Sequence, residues 1–167
     1  MNLLFYMKED ELSISNKAKL RLDINRTLLA ICFTLFTFIV AISPSLLKDN
    51  ILIALQLTLA IPLLTSSLFS RSKITYAKNK KVWDRYGFIT FLIAYSFLIN
   101  IVGIFLSTIT TIEIGLTFFG INIFLALIYS VIDVSEDKNK LKSRIIKDLS
   151  FILLIIFLGI LPSLGFY

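Results

Sequence analysis

The chain has 167 residues, 57% of them hydrophobic and only 17% charged, with a mean hydropathy of +0.86 and a formal net charge of +6. Soluble domains average roughly 45–50% apolar and about 25% charged residues, so a water-soluble globular domain is excluded. The excess falls in blocks close to the roughly 20 apolar residues that cross a hydrocarbon core of about 30 Å. The sequence therefore predicts an all-α, polytopic membrane protein.

Residues 1–27 form the one sizeable polar terminus, and they predict a cytoplasmic segment. Its opening MNLLFYM is too short and too early for a secretory signal. Ser13 or Ser15 is placed to cap a helix running into the first span. Leu12, Leu20, Leu22 and Ile24 supply a rough apolar face, which would suit an interfacial helix on the membrane surface.

Five apolar runs follow, over residues 28–47, 51–70, 88–106, 114–132 and 149–167. The first two are joined by Lys48, Asp49 and Asn50 alone, so the second must turn back at once. The second holds Pro62, and an internal proline removes one backbone hydrogen bond in a way that membrane helices tolerate. The basic connector 71–87 leads to the third and fourth runs, and the connector 133–148 leads to the last. Pro162 leaves that last run slightly short, with Phe166 and Tyr167 as aromatic anchors at its far end. The predicted architecture is a bundle of about five transmembrane helices, two hairpins and a C-terminal helix.

Lys and Arg number five in the N-terminal segment, then one, six, none, five and none in the successive segments outside the spans. This strict alternation is what the positive-inside rule requires of five spans. It places the N-terminus in the cytoplasm and the C-terminus outside, and the minimal loops with no cleavable targeting peptide make the plasma (inner) membrane of a prokaryotic cell the default expectation. The same placement accounts for the basic balance without nucleic acid as a partner.

Small and polar residues recur at helical spacing within the spans. The stripes are Ala30, Thr34, Thr37, Ala41 and Ser45 in the first; Gln56, Ala60 and Ser67 in the second; Ser96, Asn100, Gly103 and Ser107 in the third; and Asn122, Ala126 and Ser130 in the fourth. One explanation is packing, because membrane helices associate through small residues and interhelical hydrogen bonds. The other is a polar path built by Gln56, Asn100 and Asn122 with Thr34, Thr37 and Ser96, since amides in hydrocarbon need a partner or water. Either way the four striped helices make the core, and the fifth is expected to pack peripherally or against another subunit.

The central connector carries a second set of candidates. Lys73, Lys78, Lys80, Lys81 and Arg85 stand among Tyr76, Trp83 and Tyr86. That mixture suits anionic lipid headgroups on the cytoplasmic side, or an acidic soluble cytoplasmic protein. Topology determination with an aromatic belt explains it equally well.

Chemistry is sparse. The chain has no His and a single Cys, Cys32, within an apolar run, which argues against a catalytic triad, a metal site or a disulfide framework. No acidic or basic residue lies deep in a span, and Asp148 is spaced to pair with Arg144 one helical turn away. No enzyme activity and no cofactor are expected. The first functional expectation is a small homo-oligomeric channel or pore-type protein with a neutral lining. The alternative is a non-transporting anchor or sensor subunit that recruits a soluble cytoplasmic partner, as in bacterial stress or phage-defence systems. A small-solute transporter acting as a dimer is the third.

The orientation has a direct test. A topology reporter fused after Tyr167 should read as exported, and one inserted in 71–87 as cytoplasmic; a cytoplasmic C-terminal reading would mean that the last run does not cross.

Overall fold

Helix α1 runs from Asn2 to Ile42 without a break. Ser13 and Ser15 therefore lie inside a helix and do not cap its start, and no break marks the expected boundary near residue 27. The computed structural model describes residues 2–42, 44–136 and 141–166, with side chains given for all of these except 2–17, 49, 136 and 143. The side chain of Leu12, and residues Lys138, Lys140 and Tyr167, lie outside the described set. Leu20 and Ile24 are exposed and Leu22 is half-buried, and all three fall within the apolar segment Ala18–Ile42 of this helix.

Pro44 opens the short helix α2, Pro44–Asp49, so the first apolar run is shared between two helices. A proline at a helix's first position loses nothing, because that N–H has no intrahelical acceptor. The side-chain oxygen of Asn50 then accepts the N–H of Ile53 at 3.2 Å and caps α3, Ile51–Ile74. The remaining elements are α4, Lys80–Ile109; α5, Ile112–Glu136; and α6, Leu141–Ile155, which passes into a π-helical turn, Ile156–Ile160, and the short α7, Leu161–Ser163. The chain closes in a turn on Gly165 at φ 78°, with Phe166 N–H donating to the Leu161 carbonyl at 3.2 Å.

Five segments are long and apolar enough to span a bilayer: Ala18–Ile42, Ile51–Ile74, Lys80–Ile109, Ile112–Ser135 and Arg144–Ser163. At 1.5 Å per residue even the last, with 20 residues, reaches about 30 Å. No strand occurs among the described residues. The protein is an all-α, multi-pass membrane protein.

The chain divides into two compact units, one drawn from Met1–Pro44 and Thr58–Tyr95, the other from Ser45–Leu57 and Ser96–Tyr167. In the first, α1 buries Ala18, Asn25, Cys32 and Ile39, which recur every seven residues. α3 buries Ala60, Leu64, Ser67, Arg71 and Ile74, and α4 buries Gly87, Thr90 and Ala94. Spacings that alternate between three and four residues are those of side chains interlocking along nearly parallel helix axes. The α1 residues of the small-residue stripe, Ala30, Thr34, Thr37 and Ala41, point the other way and are exposed, and Ser45 on α2 is exposed as well. The α1 residues that face the unit's interior are thus not those the spacing of small residues suggested.

The second unit is organised by close backbone approach. A Cβ on Gly115 would lie 1.8 Å from the Ser107 hydroxyl and 2.9 Å from the Gly103 carbonyl. One on Gly103 would lie 2.2 Å from the Phe119 ring, and one on Gly159 would lie 2.7 Å from the same ring. Phe119 is fully buried in the space these two glycines leave. Phe151, Ile155 and Gly159 form the buried edge of α6 and its π turn, against which α5 packs. The last span is therefore part of this unit's core, not peripheral to it.

Two glycines on α5 separate packing from helix propensity. Gly115→Ala should lower stability by about 1–3 kcal/mol, because the crowded atoms include backbone. Gly120, with nothing within 4 Å of its added Cβ, should tolerate alanine and gain up to about 1 kcal/mol. Thermal unfolding in detergent, followed by helical circular dichroism, reads both.

Candidate functional site

The central connector is far more ordered than a loop. α3 extends to Ile74 and α4 starts at Lys80, so only residues 75–79 turn between them. The N–H groups of Tyr76 and Ala77 donate to the Lys73 carbonyl at 3.2 and 2.9 Å, and Asn79 accepts the Val82 N–H at 3.4 Å to cap α4. Lys73 thus sits in the last turn of α3, Lys78 in the turn, and Lys80, Lys81, Trp83, Arg85 and Tyr86 in the first two turns of α4.

A ladder of polar rungs closes this hairpin. Ser66 shares a 2.6 Å hydrogen bond with the Tyr86 hydroxyl, and the Ser67 hydroxyl donates to the Gly87 carbonyl at 2.7 Å. The Ser70 hydroxyl donates to the Trp83 carbonyl. Asn25 joins α1 to the ladder by donating to Ser67 at 2.7 Å, with both residues buried. Gly87 permits the approach, since a Cβ there would lie 2.8 Å from the Ser70 hydroxyl.

The last rung is ionic. Arg71, whose side chain is 2% exposed, donates to the carboxylate of Asp84 and, at 3.3 Å, to the Asp84 carbonyl. Arg21 of α1 reaches the same carboxylate at 3.1 Å from a more exposed position. A buried guanidinium needs such a partner because desolvation without pairing costs several kcal/mol. Asp84 is the one acid in the connector, and these two arginines take it.

Beside the ladder lies a groove of about 610 Å³, lined by Ser66, Phe69, Ser70, Ser72, Lys73, Tyr76, Val82, Trp83 and Tyr86. The Lys73 ammonium stands 5.0 Å from the centre of the Tyr76 ring and 6.0 Å from that of Trp83. Trp83 meets Tyr86 edge to face at 6.2 Å. Of the connector residues singled out by sequence, Lys73, Tyr76, Trp83 and Tyr86 converge here. Lys78, Lys80, Lys81 and Arg85 belong to the same hairpin but not to the groove's lining.

The intramembrane candidates make their hydrogen bonds to different partners. Gln56 and Asn100 are buried in the second unit and bind one face of the last span. Gln56 Nε2 donates to the Leu158 carbonyl at 2.9 Å, and Asn100 Nδ2 to the Leu154 carbonyl at 3.2 Å. In α register the Leu158 carbonyl would accept from residue 162, and Pro162 has no N–H to give. Gln56 replaces that donor. Gln56 Oε1 and Asn100 Oδ1 have no hydrogen-bond partner. Ser96 is buried on the Asn100 helix, whereas Asn122 is half-buried and donates to its own helix at the Phe118 carbonyl, 2.8 Å away. Thr34 and Thr37 belong to the first unit, are exposed, and donate to the carbonyls of Ala30 and Phe33 at 3.0 and 2.9 Å.

Where α5 meets α6, Arg144 pairs with Asp148 at 3.5 Å, as its spacing leads one to expect, and also with Asp133 at 3.7 Å. It stacks over the Tyr129 ring at 4.5 Å, and Ser130 donates to Asp148. Among the described residues no group of three His, Cys, Asp or Glu side chains is placed to hold a metal ion.

Sequence reasoning missed Arg71, Asp84, Arg21, Asn25 and Ser70. One signal was available: a single acid among six bases at the end of a span is the obvious counter-ion for whichever base is buried. No protein-family model, curated protein or solved structure matches this chain.

Breaking the ionic rung should separate the two arginines. Asp84→Asn strands buried Arg71 and should cost about 2–3 kcal/mol, below the usual range for a buried pair because Asp84 is 35% exposed. Arg21→Gln removes an exposed partner and should cost about 0–1 kcal/mol. Equal melting temperatures for the two variants in detergent would show that Asp84 does not hold the hairpin.

Proposed function

We propose that this protein is a non-catalytic membrane anchor or sensor subunit, which acts through the basic–aromatic hairpin between its second and third spans. The groove beside that hairpin carries the reading. It is open, it combines an ammonium with four aromatic rings, and its walls are held by the Ser70 bond to the Trp83 carbonyl and the Ser66 bond to the Tyr86 hydroxyl. The polar side chains inside the spans, by contrast, direct their donors at the protein's own carbonyls, which suits packing better than a water-filled path. The alternation of Lys and Arg along the chain supports a cytoplasmic position for the hairpin. A soluble cytoplasmic protein is then the partner such a subunit would recruit or report to.

A second reading keeps the pore. The outward stripe of α1, with Thr34 and Thr37 exposed, supports a homo-oligomer in which copies meet on that face and enclose a neutral passage.

Reconstitution separates the two. Purified protein in liposomes should leave potassium flux and dye release at the level of protein-free vesicles. Flux that rises with protein-to-lipid ratio, and falls on Thr34→Val with Thr37→Val, would overturn the anchor reading in favour of the pore.

A further inference from the structure

We propose that the groove between the end of α3 and the start of α4 binds the phosphate of an anionic phospholipid, with Lys73 as the phosphate ligand. The inference deepens the sensor reading above and rests on it, by naming what the hairpin recognises. The groove is amphipathic along its length. At one end Phe69, 72% exposed, forms an apolar wall one turn from the Ser66–Tyr86 rung, on a helix long and apolar enough to span a bilayer. At the other end are Lys73 and the exposed Ser72, in the last turn of the span. An acyl chain along the wall brings a headgroup phosphate to the ammonium.

Charge gives the selectivity. No carboxylate among the described residues pairs with Lys73, because the connector's one acid is engaged by Arg71 and Arg21. The ammonium is instead held over two ring faces, an interaction that positions it without neutralising it. Tyr76 and Trp83 resemble the aromatic box that takes a choline ammonium elsewhere, but here the chain's own lysine fills it. A phosphocholine headgroup would bring a second cation to an occupied site. A headgroup with net negative charge meets no such conflict, and the other bases of the hairpin raise its local concentration.

Trp83 is the only tryptophan in the chain and lines the groove, so its emission reports on occupancy directly. Full-length protein in neutral detergent is titrated with a short-chain phosphatidylglycerol, the matching phosphatidylcholine, and inorganic phosphate. Phosphatidylglycerol should change Trp83 emission saturably, phosphatidylcholine should act about tenfold more weakly, and inorganic phosphate should do nothing in the same range. Lys73→Gln should weaken the phosphatidylglycerol response about fivefold, the loss of one basic contact near a membrane surface. Lys73→Arg should retain the response, and Lys81→Gln, outside the groove, should change it less than twofold. Circular dichroism confirms that each variant remains helical. Equal responses to the two lipids, or a response indifferent to Lys73→Gln, would overturn the proposal. An equal response to inorganic phosphate would overturn the lipid in favour of a free anion, and saturable binding of an acidic peptide with no lipid response would replace it by a protein partner. Silent liposomes with no Trp83 response would remove the lipid and leave the anchor reading standing.

Discussion

A guanidinium buried at the end of a membrane span must be neutralised, and the Arg71–Asp84 pair meets that requirement for the first unit. The pair also sets the register of the hairpin. Once residue 71 faces residue 84, Ser70 falls opposite the Trp83 carbonyl and Ser67 opposite Gly87. Antiparallel helices offer neighbouring contacts only every three or four residues, so a shift of one residue would lose every rung. Asn25 and Arg21 then fasten α1 to the same ladder at two heights. The aromatic residues of the connector occupy their positions because of this polar framework.

The fold was legible because its signal is length. Five apolar runs, alternating with basic segments, need only the thickness of a bilayer to be recognised. Which face of each helix turns inward was harder to read. In water the buried face is apolar and the exposed face polar, but in lipid both are apolar and only small and polar residues distinguish them. That criterion worked on α3 and α4, where Gln56, Ala60, Ser67, Ser96, Asn100 and Gly103 are all buried. It failed on α1, where Thr34 and Thr37 bond to their own helix and need no neighbour, while Cys32 and Ile39 pack inward. A threonine in a membrane helix can satisfy its hydroxyl at the carbonyl four residues back, so its presence says little about its surroundings.

Gln56 and Asn100 were singled out as amides that need partners in hydrocarbon, and the partners of their donors could not be read from spacing. They are backbone carbonyls on the last span, where Pro162 removes a donor and the helix widens into a π turn. An imperfection in one helix is thus matched by the amide of Gln56 on another, three spans away in sequence. Gly159 leaves room for this, since a Cβ there would lie 2.5 Å from Asn100 Oδ1. The unpartnered oxygens of the two amides are the cost, on the order of 1–3 kcal/mol each if they stay dry. The match also explains why the final span, with no stripe of its own, is nevertheless tied into the core of its unit.

The same economy of parts bears on the groove. Rotamer-rich side chains lose about 0.5–1.5 kcal/mol each when a ligand immobilises them. Here much of that ordering would precede binding, since the Trp83 ring meets Tyr86 edge to face, Tyr86 is held through its hydroxyl, and Lys73 lies over two rings. A connector whose only task was to fix topology would require basic residues near the membrane and nothing more, because the positive-inside rule counts charges without regard to geometry. The hydroxyl and aromatic framework around Lys73 exceeds that requirement, and it is on this excess, not on the charge count, that the proposal of a recognition surface rests.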